Sequence, residues 1–95
     1  MIIQHTTNGS KGHFFVGEEN EPLAEMTYKM ADPAKMIIEH TEVSDALRGQ
    51  KVGYLLVDAA VEYARAKNIK ITPLCPFANA VFKKKKEIQD VLANP

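Results

Sequence analysis

The chain has 95 residues, and its 12 basic and 12 acidic side chains give a formal net charge of zero. A hydrophobic share of 45% and a charged share of 25% are typical of a soluble globular protein and exclude a disordered chain. This length predicts one domain over residues 1–95 with a modest core.

Composition also indicates the compartment. No segment approaches the ~20 consecutive apolar residues of a membrane span, and the start Met-Ile-Ile-Gln-His lacks the regions of a signal peptide. We therefore expect a cytoplasmic monomer without membrane contact. One cysteine cannot form an internal disulfide, and it shows no zinc-ligand spacing with the three histidines, so we expect no metal site.

Charge is unevenly distributed along the chain. Residues 1–45 carry 3 basic and 8 acidic side chains, a net charge of −5, whereas residues 46–95 carry 9 and 4, a net charge of +5. The basic half suits a polyanionic small ligand or a nucleic-acid surface. The alternative is that these charged side chains lie on solvent-exposed faces and bind no partner.

The first 43 residues predict an antiparallel meander of four strands. We expect strands opening at Ile2 and Ile3 and continuing over residues 13–16, 23–30 and 35–43, joined by polar turns at 8–12, 18–22 and 31–34. The third strand alternates, which predicts a sheet with one buried face formed by Ala24, Met26, Tyr28 and Met30.

A long amphipathic helix is predicted next, from about Gln50 to Lys67, with Asn68 as a left-handed stop. Its apolar residues recur at spacings of three and four: Val52, Leu55, Leu56, Ala59, Ala60, Tyr63 and Ala64. Residues 69–74 then predict a fifth strand. A strand–helix–strand unit of this length favours a right-handed crossover, which makes strands four and five parallel.

The C-terminal part predicts one or two short helices. Pro76 suits a first helical position, which makes Cys75 the N-cap of a short helix. Lys83 to Lys86 is interpreted as a solvated helix end that breaks this helix or forms its last turn; a phosphate or nucleic-acid patch is the alternative. Residues 87–92 add a further turn, and residues 93–95 are expected to fray.

The segment Arg48-Gly-Gln-Lys-Val-Gly53 marks a candidate phosphate site. Gly49 and Gly53 flank the start of the long helix, where the first N–H groups lack intrahelical acceptors. Free N–H donors and the positive end of the helix dipole both favour an anion. Because ligands of α/β units bind at the carboxyl ends of parallel strands, this segment and Cys75 are predicted to share one mouth.

This segment resembles the acetyl-CoA-binding signature of the GNAT acetyltransferases, Gln/Arg-x-x-Gly-x-Gly/Ala. Arg48 and Gly53 occupy its first and last positions, whereas Lys51 stands where the family usually has glycine. With His40 to Asp45 and Pro73 to Ala78, the chain is similar over residues 36–82 to short GNAT-like proteins. The resemblance implies an α+β fold, with a mostly antiparallel five-stranded sheet, one long helix after strand four and short C-terminal helices.

The resemblance further implies acetyl-CoA binding and acetyl transfer to an unidentified amine, with an open acceptor side suited to a protein or peptide. Backbone groups near two residues of strand four would hold the pantetheine arm, and the signature would hold the diphosphate. The implied cofactor-binding residues are Thr41, Val43, Arg48, Gly49, Gln50, Lys51, Val52 and Gly53.

Three side chains are candidate catalytic residues. Cys75 at a helix N-terminus could accept acetyl or protonate the departing thiolate, or it could be a small core residue. His40 could act as general base. Strand alternation predicts that it shares the buried face of Met36 and Ile38, which makes a core histidine the favoured interpretation. Glu42 is predicted on the same face, and glutamate is a frequent base in the family.

Two other functions remain open. One is a coenzyme A-binding module without turnover. The other is a nucleic-acid-binding domain, which is weakly supported because the chain has no Trp and only 7% aromatic residues.

Overall fold

The computed structural model describes residues 1–93. Five strands form one sheet in the order β1-β2-β3-β4-β5. Neighbouring strands are antiparallel, except that β4 and β5 are parallel. The strands are β1 Gln4–Asn8, β2 Lys11–Glu18, β3 Glu21–Asp32, β4 Lys35–Val43 and β5 Lys70–Pro73; the helices are α1 Val52–Lys67 and α2 Pro76–Lys84. The predicted fold class is confirmed, including the parallel final pair.

The three hairpins are tighter than the sequence predicts. Each is closed by two residues, Gly9-Ser10, Glu19-Asn20 and Pro33-Ala34, so β2 and β3 are longer than expected. Two-residue loops suit the right-handed twist of adjacent strands. The first strand, in contrast, begins later than predicted. It starts at Gln4, whose side-chain amide donates to the carbonyl of Gly17 at 2.7 Å, and Ile2 is 79% exposed.

A β-bulge interrupts the pairing of β3 with β4. Tyr28 lies opposite Ile38, but Thr27 lies opposite His40, so Glu39 is one extra residue in β4. Because side chains alternate between the two faces of a strand, one extra residue moves every later side chain to the other face. This bulge decides which β4 residues meet the helices.

Helix α1 packs one face on the sheet and ends where predicted. Asn68 is left-handed, with φ 57° and ψ 45°, and its N–H donates to the carbonyl of Ala64. The buried face differs slightly from the predicted one. Val57 and Val61 are in the core, whereas Leu55 is 38% exposed. Spacings of three and four also fit a buried face that is rotated about the helix axis by part of a turn.

The chain end packs beside β5. A 3₁₀ helix over Lys86–Val91 follows α2. Leu92 forms a parallel bridge with Ile71, and the N–H of Ala93 donates to the Ile71 carbonyl at 2.9 Å. The prediction that Ala93 frays is therefore wrong. The same expectation for Asn94 and Pro95 lies outside the described residues.

Candidate cofactor-binding site

A cavity of about 310 Å³ lies where the end of β4 meets the first turn of α1. It is open to solvent at the mouth that the strand–helix–strand topology predicts. Its lining contains seven of the eight predicted cofactor-binding residues, all except Gln50, and adds four others: Ser44, Leu47, Tyr54 and Phe77. The sequence thus predicts the location of the cavity and misses part of its wall.

The first turn of α1 presents unpaired donors to this cavity. Across residues 1–93, the N–H groups of Val52, Gly53 and Tyr54 donate to no acceptor, and no side chain caps the helix. The first amide that pairs is that of Leu55, which donates to the carbonyl of Lys51 at 3.2 Å. Free donors at the positive end of the helix dipole form an anion site.

The opposite wall of the cavity is a half-paired strand. Pairing of β4 with β5 stops at Ile38 and Pro73, and the N–H groups of Leu74 and Cys75 both donate to the Ile38 carbonyl. After Ile38, β4 pairs with β3 along one edge, and its other edge has no partner strand among the described residues. Its free edge can therefore pair with an extended ligand, as expected for a pantetheine arm.

The segment between β4 and α1 has an unusual backbone. Lys51 is left-handed, with φ 58° and ψ 32°, although it is not glycine. A left-handed conformation costs an ordinary L-residue roughly 1–2 kcal/mol, which explains why glycine suits this position. Lys51 is exposed, so its side chain is not packed into the predicted phosphate site. Arg48 is also exposed and pairs with Asp45 at 2.5 Å.

Gly53 has a packing role that the sequence does not reveal. A Cβ on Gly53 would lie 2.5 Å from Cζ of Phe77, which is closer than real Cβ atoms come to other atoms. The Phe77 ring also meets Tyr54 edge-on, with ring centroids 5.8 Å apart. The glycine therefore lets α2 approach the tip of α1, in addition to any contact of its N–H with a ligand.

Cys75 lies behind the cavity rather than in its wall. It is 4% exposed, caps α2 as predicted and donates its thiol to Oγ1 of Thr41 at 3.4 Å. Burial would raise the pKa of this thiol. Hydrogen bonds with Thr41 and with the backbone of Ala78 and Phe77 outweigh burial and leave the pKa below its usual value. Cys75 is thus both a buried core residue and a polarised thiol, and Thr41 connects it to the cavity.

His40 and Glu42 lie on the sheet face away from the helices. The predicted burial of His40 beside Met36 and Ile38 is wrong, because the bulge at Glu39 shifts the later residues by one. His40 lies opposite Thr27, Glu42 lies opposite Glu25, and both candidates are exposed. The shift instead places Thr41 opposite the buried Met26.

Comparison with known proteins identifies the family of this chain. Residues 13–91 match the family model described as GCN5-related N-acetyl-transferase. A GCN5-like candidate N-acetyltransferase from Staphylococcus aureus, solved by NMR, is 41% identical, with 97% of this chain and 89% of that chain covered and a TM-score of 0.76. The chain therefore belongs to the GCN5-related N-acetyltransferase family. A comparison with curated proteins found no match.

More distant structures share the fold. A GNAT family acetyltransferase from Elizabethkingia anophelis with acetyl-CoA bound is 18% identical, with a TM-score of 0.58 over 82% of this chain. The chain spans about half of that structure, 54%. A ribosomal-protein-alanine N-acetyltransferase from Brucella melitensis is 13% identical, with a TM-score of 0.60 over 93% of this chain and 67% of that one. Within residues 1–93, no helix is both long and apolar enough to span a membrane.

Proposed function

We propose that this protein binds acetyl-CoA in the cavity at the tip of α1 and transfers the acetyl group to an amine. The unpaired N–H groups of Val52, Gly53 and Tyr54 carry this proposal, since they face a 310 Å³ cavity and suit a diphosphate. The free edge of β4 near Thr41 and Val43 would pair with the pantetheine arm.

The proposed reaction is a direct acyl transfer. The amine nitrogen forms a bond to the thioester carbonyl carbon, the carbon–sulfur bond breaks, and the coenzyme leaves as a thiolate. One proton leaves the attacking nitrogen and one must reach the sulfur. We propose that His40 or Glu42 accepts the proton from the nitrogen. Both lie on the open face of the sheet, where an amine on a protein or peptide could approach.

The second proton would come from Cys75 through Thr41. Thr41 lines the cavity, and its Oγ1 accepts a hydrogen bond from the Cys75 thiol at 3.4 Å. As the Thr41 hydroxyl proton passes to the departing thiolate, the Cys75 proton can replace it. The Cys75 thiolate then recovers a proton from solvent. The lowered pKa of Cys75 supports this role.

A non-catalytic coenzyme A-binding module is the second candidate. It is favoured by the separation of the three candidate groups: Cys75 lies behind the cavity wall, whereas His40 and Glu42 lie on the outer face of the sheet. This alternative predicts cofactor binding without acetyl release.

Thermal-shift titration with coenzyme A, acetyl-CoA, ATP and a short DNA tests the binding. Ligand at ten times Kd stabilises the fold by about 1.4 kcal/mol, a shift of several degrees in a domain of this size. We expect both coenzyme A forms to raise the Tm more than ATP or DNA. An unchanged Tm with acetyl-CoA refutes the proposed function, and acetyl transfer to an amine panel then separates enzyme from binding module.

A further inference from the structure

A second, smaller cavity of about 190 Å³ lies where the start of β3 meets the end of β4. It is lined by residues 22–25 of β3 and by residues 42–44 at the end of β4. Val43 and Ser44 line this cavity and the proposed cofactor cavity alike. A molecule in the second cavity would therefore lie close to a thioester held along β4.

Two carboxylates of the second cavity oppose each other across the strand pair. Glu25 of β3 lies directly opposite Glu42 of β4, and like charges at opposed positions destabilise a sheet. Glu25 pairs with Nδ1 of His13, whereas Glu42 has no cationic partner within residues 1–93. At most one positive charge therefore balances two carboxylates, and a bound cation would reduce their repulsion.

The rest of the wall is apolar and accessible to solvent. Leu23 is 43% exposed and Val43 is 40% exposed, and Pro22 precedes Leu23 in the lining. Methylene groups pack on apolar side chains, while an ammonium group at the end of the same chain pairs with carboxylates. The cavity thus suits an aliphatic chain that ends in an ammonium group.

The position of His40 limits the length of that chain. His40 and Glu42 are two residues apart on one strand, so they lie on the same face with Cα atoms roughly 7 Å apart. An extended alkyl chain needs about four or five methylene groups to separate two nitrogen atoms by this distance. An amine beside His40 could therefore carry a second amine that reaches the carboxylates.

We propose that the acetyl acceptor has two amino groups joined by such a chain, and that Glu25 and Glu42 bind the amino group that is not acetylated. The inference rests on the proposed function. It divides the two candidate bases, since Glu42 binds the acceptor and His40 accepts the proton of the attacking nitrogen. That nitrogen bonds to the thioester carbon as the carbon–sulfur bond breaks, and the second ammonium group keeps its protons.

The charge of this part of the chain favours the same class of acceptor. Residues 1–45, which contain both strands, have a net charge of −5. A surface with an excess of one charge attracts ligands of the opposite charge at long range. A diamine, free or as the N-terminal lysine of a peptide, carries more positive charge than a monoamine and should be captured in preference to it.

Steady-state acetylation of matched acceptors by the whole protein tests the assignment. One pair is 1,5-diaminopentane and pentylamine, and the other is a peptide that begins with lysine and the same peptide with norleucine in its place. We expect kcat/KM to be at least tenfold higher for the diamine member of one or both pairs, mainly through a lower KM. The pair that shows this preference identifies whether the acceptor is a free diamine or a peptide.

Glu25→Gln should reduce the preference for the diamine three- to tenfold, because it removes one of the two carboxylates. Glu21→Gln is the matched control: it makes the same change on the same strand, outside the cavity, and should retain the preference. His13→Gln removes the partner of Glu25 but keeps both carboxylates. It should not lower the preference, which separates the loss of charge from the loss of the His13–Glu25 pair.

The outcomes separate the two proposals. If diamines and monoamines are acetylated equally well, or if Glu21→Gln and Glu25→Gln lower the preference alike, the acceptor assignment is overturned and acetyl transfer stands. If no acceptor is acetylated although acetyl-CoA raises the Tm, the proposed transfer itself fails, and the acceptor assignment fails with it.

Discussion

The ring of Phe77 occupies the space that a side chain on Gly53 would need, with Cζ 2.5 Å from the ideal Cβ position. One is the second residue of α1, and the other is the second residue of α2. Their contact brings the two helix tips together at the mouth of the cavity. The lack of a side chain at Gly53 therefore affects both the packing of α1 against α2 and the shape of the cavity.

Gly53→Ala should therefore reduce both stability and binding. The added methyl group must displace an aromatic ring, and such overpacking costs about 1–3 kcal/mol. We expect a lower Tm in thermal denaturation and weaker coenzyme A binding in calorimetry. Adding Phe77→Ala to this variant should restore part of the stability. No recovery in the double variant would show that the steric conflict lies elsewhere.

Lys51→Gly should have opposite effects on stability and binding. Removing the side chain relieves the left-handed strain at φ 58°, which should raise the free energy of unfolding by about 0.5–1 kcal/mol after the entropy cost of glycine. It also removes a cation from the wall of the cavity, so coenzyme A affinity should fall. Denaturant titration and calorimetry measure the two effects.

Asn68→Gly is the control for this change. Asn68 is the other non-glycine residue with positive φ in residues 1–93, at 57°, but asparagine tolerates this conformation. Its replacement should stabilise the protein less and leave coenzyme A affinity unchanged. An equal or greater gain at Asn68 would argue against strain at Lys51.

Removing either member of the Cys75–Thr41 pair should slow acetyl transfer by a similar factor. Loss of an acid catalyst costs about 10²–10⁴ in rate, and residues that act as one relay are not additive. We expect Cys75→Ala, Thr41→Val and the double variant to have similar turnover. Cys75→Ala should bind acetyl-CoA like the wild type, since Cys75 does not line the cavity. Unchanged turnover removes Cys75 from the mechanism.

His40→Gln and Glu42→Gln test whether either side chain is the proposed base on the outer face of the sheet. The variant that lacks the base should lose at least tenfold in kcat while its KM for acetyl-CoA stays constant. Both side chains are exposed, so neither substitution should unfold the protein. Full activity in both variants would place the proton acceptor elsewhere or leave the amine to lose its proton to solvent.

Stability should depend on pH through His13, on the outer face of the sheet. Burial lowers the pKa of His13, but its pairs with Glu25 and Glu19 outweigh burial and raise the pKa above the usual 6.5. The stabilisation is therefore complete below pH 6.5 and is lost as pH rises through the folded pKa. His13→Gln should lower the Tm most near pH 6 and progressively less towards pH 9.

His5→Gln is the control, because the pKa of His5 is shifted in the opposite direction from that of His13. Burial and then the charge of His13 lower the pKa of His5, so the folded state disfavours its protonation. The wild-type residue therefore costs stability as pH falls below 6.5, and the variant should gain relative to the wild type in that range. The same pH dependence in both variants would contradict these assignments.

Sequence patterns predict the elements of this fold well because hydrophobic spacing, Asn68 and Pro76 act locally. The main error is the face of His40, since strand alternation assumes regular pairing. A bulge at Glu39 depends on the register between β3 and β4 and is not encoded in the spacing of β4 alone. Likewise, Gly53 stands in a motif, but its contact with Phe77 depends on how α2 docks.

The bridge from Leu92 to Ile71 has a consequence for engineering of the chain. β5 has four residues, and the segment after α2 covers the side of this strand that faces away from β4. Uncovered strand edges recruit other molecules and promote aggregation. Deleting residues 86–93 would therefore expose this edge of β5. We expect the truncated protein to precipitate although the proposed catalytic residues are unchanged.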